Sequence, residues 1–357
     1  MSVTKVSSAM QDLTDDYAFS GTVTGTANNI PRNDIINGGY LVNQENDTAA
    51  VDDDYSIGDL FLHVGEAAVT TSLQTSGGPQ GDRNFARINI DTANKQSGWV
   101  YFLSNADCQD YIANGKMSFG IKVKTVADKV IGTVRIGLLK WTGTADAVTS
   151  DVVGTWAQDG TNPTLATSWS YENTPADVDI TTSWARYTVE NVTVDADTNN
   201  LAAFLWIDDG TIAEDDQLDV SEWQLNPGST VNAFSSSSLR KTSADTKFFL
   251  EVMNPDAYVG YLFGESQPSS ATSASARIDY VQKRVVPTFT MMNVAGHYRY
   301  RNHLFTNFVG SGDGVTFSSQ SVMVANASIT TSGMTAGVTG YLSSHTGGGK
   351  ILIDARL

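Results

Sequence analysis

The stretch KMSFGIKVKT, residues 116–125, sets the fold class. Met117, Phe119, Ile121 and Val123 alternate with Ser118, Gly120, Lys122 and Lys124. A period of two puts one set on each face of a strand, so this segment reads as a β-strand with one apolar and one polar face. The same alternation recurs downstream. Tyr187 and Val189 are followed by Val192 and Val194, with one phase slip near Asn191. Leu218 and Val220 are followed by Trp223 and Leu225, again with a slip of one. A slip of one is the sequence form of a β-bulge. Leu201 to Ile207 is apolar throughout, as expected of a strand buried on both faces. Short strands separated by Gly, Asp, Asn and Ser turns predict an all-β chain of the sandwich or jelly-roll class.

Helix signals are few. Ser104 to Ala113 reads as a short helix capped by Ser104 or Asn105 and stopped at Asn114-Gly115. Thr242 to Met253 is a second candidate, capped by Thr242 or Ser243, although Phe248 and Phe249 fit a strand equally well. The chain divides into three regions. Residues 1–30 hold too little apolar material for a core of their own and read as an attachment arm or a frayed end. Residues 31–235 carry all seven tryptophans and most strand signals. After the serine run 235–238, residues 240–357 form a second, smaller β-rich region ending in ILIDARL, read as a last strand.

Composition excludes several classes. The 357 residues carry 22 Lys+Arg against 39 Asp+Glu, a formal charge of −17. That balance opposes nucleic-acid and anionic-membrane binding, and no basic patch offsets it. No apolar run reaches transmembrane length, and no basic-then-apolar start marks a signal peptide. Cys108 is the only cysteine, so no internal disulfide forms, and its apolar neighbours read it as a small buried side chain. There is no P-loop, no H-E-x-x-H and no G-x-S-x-G.

Two kinds of residue remain as site candidates. Carboxylates cluster at 52–54, at Asp195 and Asp197, at Asp208-Asp209, and at 214–216 with Asp219. These are either solvated turns or ligands for a hard cation such as calcium. Asp219 stands out because it lies inside a strand pattern, where Asp is depleted. Acids beside aromatics (Asp208 and Asp209 after Trp206, Glu222 beside Trp223) also leave a glycosidase pair open. Trp141, Trp156 and Trp169, with Tyr171, sit among Gly, Thr, Asn and Asp between strand signals. They are either exposed rings that stack on sugar faces or a satellite hydrophobic cluster under a long loop.

Several stretches resemble bacteriophage virion fibre and appendage proteins with a carbohydrate-binding-module-like jelly roll. IINGGYLVNQENDT (35–48) is similar to the first strand of that jelly roll. KMSFGIKVKT is similar to its second signature strand, with Gly120 where Trp is usual. WARYTVENVTV (184–194) and LDVSEWQLNPGSTVNAF (218–234) are similar to its closing strands. VVPTFT (285–290) and ILIDARL are similar to the strand core and the ending of the second region in such proteins. The resemblance implies a non-catalytic virion surface protein, of tail-fibre type, made in the host cytoplasm. It would attach to other virion proteins through the arm, often as an oligomer, here a homotrimer, and contact host-surface glycans. No cofactor is implied beyond a structural calcium at Asp219. A capsid decoration or head-fibre protein is the alternative; a glycan-binding module or glycoside hydrolase is the second. Met291, Met292, Val294, Tyr298 and Tyr300 are the apolar residues on which oligomerisation is expected.

Overall fold

In the computed structural model the described residues are 32–357, except 46–48, 51–53, 56–57, 81–82, 158, 255–257, 260, 293–296, 304–306, 310–314, 331 and 346–348. The expected arm, Asp52, Asp53 and Val294 therefore lie outside them.

The first region is a sandwich of two antiparallel sheets. One has six strands in the order Ala49–Ala50, Val69–Gln74, Phe85–Ile90, Gln217–Pro227, Lys116–Thr125, Ala185–Thr193. The other runs Trp169–Tyr171, Thr133–Trp141, Asn200–Ile207, Ser97–Leu103, Leu62–Gly65, Asp54–Tyr55. From Ser97 onward the long strands alternate between the two sheets, which is jelly-roll winding. The inward residues read from the alternation fill the space between the sheets: Met117, Phe119, Ile121, Val123, Leu218, Val220, Trp223 and Leu225 share one core. Both phase slips are bulges. The register shifts between Val189 and Val192 and between Ser221 and Gln224, and the extra residues Asn191 and Glu222 take positive φ (58° and 54°). Asn200–Ile207 is buried along its whole length.

The expected first strand at 35–48 is corrected. Residues 35–39 form a bend and turn rather than a strand, with Asn37 and Tyr40 at positive φ. The Asn37 side chain explains it, bonding Val42 and Gly58 in place of a ladder. Gly38 packs against the Trp223 carbonyl, where a Cβ would come within 2.3 Å.

The first helix spans Asn105–Asn114, capped by Ser104 and ended by Gly115 at φ 70°. The second starts earlier than the sequence pattern placed it, at Leu239. Ser238, the last of the serine run, accepts from the Lys241 amide as its cap. The helix ends at Phe249, and Leu250–Met253 continues as a strand.

The second region has a three-stranded sheet (Leu250–Met253, Lys350–Asp354, Thr288–Met292) and a seven-stranded one (Asn307–Val309, Tyr298–Asn302, Gly340–Ser344, Leu262–Pro268, Ser273–Asp279, Val324–Thr330, Val315–Ser318). Phe263, Ile278, Tyr298, Tyr300, Ile351 and Ile353 meet between them. Tyr298 and Tyr300, expected to offer surface for oligomerisation, are buried in this core instead, because the alternation on their strand points them inward.

The chain then returns to the sandwich. Ala355–Leu357 leave the last strand, and Leu357 joins the apolar cluster on the sandwich while accepting from the Tyr55 hydroxyl. Arg356 is buried, bonded to both oxygens of Glu45 (2.6 and 3.2 Å), to Asp354 (2.6 Å) and to the Asp59 carbonyl (2.7 Å). Its guanidinium carbon lies 3.8 Å from the Tyr55 ring centre.

Candidate functional site

The connection between Trp141 and Trp169 forms a third layer over the outer face of the second sheet, through Val148, Val152, Val153, Leu165 and Ala166. That face is apolar (Leu62, Val64, Val100, Phe102, Leu139, Phe204 and Trp206), so water must be excluded from it. Trp141 and Trp169 do this. Each is 6% exposed, each lies on a strand, and their rings sit 5.2 Å apart. Their indole N–H groups donate to the Thr144 and Thr149 carbonyls. Tyr171 lies beside Trp206, its hydroxyl donating to the Pro163 carbonyl. The expectation of exposed loop rings is corrected for Trp141 and Trp169. Their polar neighbours in sequence belong to the covering layer, and the rings point beneath it.

Trp156 differs. Its ring is half-buried against Phe204, 6.2 Å between centres, and it lines a groove of about 470 Å³ at one end of the sandwich. Four connections supply the walls: Glu66, then Asn94 to Gln96, then Trp156, Ala157 and Asp159, then Asp209, Gly210 and Ile212. The acids there are tied to the backbone. Asp209 accepts from the Gly132 and Thr211 amides (2.6 and 3.1 Å), and Glu66 accepts from the Gln96 amide (3.1 Å). Beneath the rim, buried Asp208 accepts from the Gly160 amide and pairs with Arg135 at 2.5 Å. Arg135 also binds Asp177 and Asn162, pinning the covering layer to the sheet. Burial and a hydrogen bond with Asp177 push the Asp208 carboxyl up; Arg135 holds Asp177 down.

The outer face of the six-stranded sheet is built differently. Asp219 is fully buried there and takes a two-pronged bond from Arg87 (2.7 and 2.8 Å), with Lys124 at 3.4 Å. Two cations already neutralise that carboxylate, and the described residues contain no group of three His, Cys, Asp or Glu able to hold a metal. Asp219 therefore does not fit the calcium expected of it. Glu222, put outward by its bulge, lies between Lys122 (3.3 Å) and Arg83 (3.7 Å). Residues 228–238 strap the other half of this face. Val231 fills the space over Gly120, where the resembled family carries Trp, and Asn226 bonds Thr230 and Asn232 to hold the strap down. Ion pairs and strap together leave the Trp156 groove as the better placed aromatic surface.

Of the remaining acids, Asp195 and Asp197 clasp Lys140 (2.5 and 2.8 Å), and Asp216 accepts from Ala213 in a turn. Of the groove, sequence reasoning found Trp156 and Asp209. It missed Glu66, Lys95, Gln96 and Asp159, which come from separate turns and carry no pattern.

No family model matches the chain, and no curated protein matches it. Solved structures similar to it include TmCBM61 in complex with β-1,4-galactotriose (12% identity, 55% of this chain and 99% of that one, TM-score 0.33). Another is the family 11 carbohydrate-binding module of Clostridium thermocellum with a mixed-linked β-1,3-1,4 tetrasaccharide (11%, 50% and 96%, 0.29). A third is the enzymatically active domain of tailspike protein 4 of bacteriophage CBA120 (10%, 54% of this chain and 21% of that one, 0.31). Scores this low leave the jelly-roll assignment resting on the chain's own strand order.

Proposed function

We infer that this protein is a non-catalytic glycan-binding subunit of a virion surface appendage, and that saccharide enters the Trp156 groove. The observation that carries the binding reading is a half-exposed indole set in a polar-walled groove. A pyranose has one apolar C–H face and a rim of hydroxyls, and this groove offers a ring for the first and Glu66, Gln96, Asn94 and Asp159 for the second. Binding is favoured over acid–base chemistry because Asp209 and Glu66 already accept backbone hydrogen bonds. The virion reading rests on the sequence resemblance and on the acidic, β-rich, Ser/Thr-rich composition. A trimer is the proposed assembly, attached to its particle through residues 1–30, and sedimentation tests its stoichiometry.

The test is a glycan array followed by titration calorimetry on the best binder. Trp156→Ala should weaken binding by about 2 kcal/mol, roughly 30-fold, while thermal stability stays near that of the parent. Unchanged affinity sinks the groove assignment. Quantified copy number in purified particles tests the appendage reading. A dozen or so copies at a tail agree with it, hundreds on a head favour a capsid decoration instead, and absence from the particle refutes both.

A further inference from the structure

In the second region, part of the outer face of the seven-stranded sheet is open to solvent. On the seven-stranded sheet, alternation turns Phe263, Ala274, Ala276, Ile278, Ala325, Ala327 and Leu342 inward. The opposite face carries Glu265, Gln267, Ser275, Arg277, Asn326 and, beside Tyr341, Arg301. Such a face is solvated and has no need of a large ring. Tyr341 nevertheless stands on it, 40% exposed.

The surroundings of Tyr341 form a groove of about 390 Å³. Glu265 is its direct cross-strand partner, which sets the two side chains roughly 5 Å apart. Gln267 follows two residues on, on the same face, and pairs across with Ser275. His303 closes the far rim. Its backbone amide and its Nδ1 both donate to the Thr339 carbonyl (3.3 and 3.2 Å), so in the neutral ring Nε2 is an acceptor. Thr339 adds a hydroxyl to the lining. The groove thus combines one aromatic platform with a carboxylate, an amide, an imidazole and hydroxyls, all on rigid strands or at their ends.

We propose that this groove is a second saccharide site, separate from the one at Trp156, and that it takes a neutral oligosaccharide. A sugar ring stacks on Tyr341 while its hydroxyls bond Glu265, Gln267 and His303. Carboxylate and amide side chains each offer two adjacent polar atoms, the spacing that neighbouring hydroxyls present. Neutrality comes from local balance: Tyr341 has Glu265 as its cross-strand partner on one side and Arg301 on the other, so the platform carries no net charge to recruit an ionic glycan. This inference goes beyond the Trp156 reading and stands without it. Two sites on one chain would also let weak contacts add by avidity on a glycan-coated surface.

The experiment uses the full chain on an array of neutral gluco-, galacto- and xylo-configured oligosaccharides. Wild type, Trp156→Ala, Tyr341→Ala, His303→Ala and the two doubles that combine Trp156→Ala with each groove change are compared, with a thermal melt on each. The Trp156→Ala variant should keep a set of neutral glycans whose binding falls at least about tenfold on adding either Tyr341→Ala or His303→Ala. His303 is an exposed rim residue, so its variant keeps the test valid if Tyr341→Ala melts early. The proposal is overturned if neutral glycan binding is untouched by both groove variants, if Trp156→Ala alone removes all of it, or if the wild type binds none. The Trp156 reading is judged separately, by the loss on Trp156→Ala alone.

Discussion

Arg356→Met is the sharpest perturbation of this fold. Methionine keeps the apolar stem over Tyr55 and removes the guanidinium that holds Glu45, Asp354 and the Asp59 carbonyl. Glu45 and Asp59 are then buried without their cation. Asp59 keeps two backbone amides, from Gln44 and Glu45, but Glu45 loses both of its bonds to Arg356. Removing one partner of a buried charge network costs about 3–5 kcal/mol, and this site is at the upper end because one cation serves two carboxylates. The deficit should depend on pH with a definite sign. Burial already holds the Glu45 and Asp59 carboxyls above the usual range, and losing Arg356 raises them further. The folded variant then binds protons at a pH where the unfolded chain has lost them, so its stability rises as pH falls toward the unfolded carboxylate range. Urea unfolding at pH 7 and pH 5 measures this. A deficit below about 1 kcal/mol at pH 7, or one that grows on acidification, refutes the account of this joint.

Three further outcomes are expected from other parts of the molecule. Cys108 is buried, and burial pushes its thiol up to about 12, so a thiol reagent should label it only after unfolding; rapid labelling of native protein would contradict the packing. Gly120→Trp introduces the ring that is usual at this point in the resembled family, but its Cβ would meet Val231 and Arg186 at 3.0 Å. It should cost about 1–3 kcal/mol and open residues 228–238 to protease, and an undisturbed digestion pattern would show that the strap does not pack as described. Calcium addition or chelation should leave the melting temperature unchanged, because Asp219 is already matched by Arg87 and Lys124; a calcium-dependent rise would reverse that reading.

What the sequence made legible was local in kind. Strand faces, both bulges and the first helix can be read from spacing alone, because a bulge leaves a phase slip and a cap leaves a serine. The Ser238 cap was written in the sequence too, but a run of four serines looks like a linker until one of them meets a helix. Trp141 and Trp169 misled for a related reason. Their neighbours are polar because they face water from the covering layer, and no one-dimensional pattern says which side of that layer a ring takes. The Trp156 groove is assembled from four connections between residues 66 and 212, so only its aromatic member and Asp209 were visible beforehand. The turn at 35–39 escaped because its pairing lies in the Asn37 side chain rather than in any alternation.

The second region is joined to the sandwich through residues 228–239 on the way out and through Ala355–Leu357 on the way back, with Gln44 bonding Leu250 and Val252 and Asp146 pairing with Arg284 beside them. A single connection would be a hinge; contacts at both ends of the region make a bracket. Swinging one body about the other requires the Arg356 bonds to break while the strap also lifts, so the orientation of the two grooves is set by the chain's own path. A surface carrying both kinds of saccharide would meet them at one fixed spacing, and glycan patterns that do not match that spacing would engage only one site at a time.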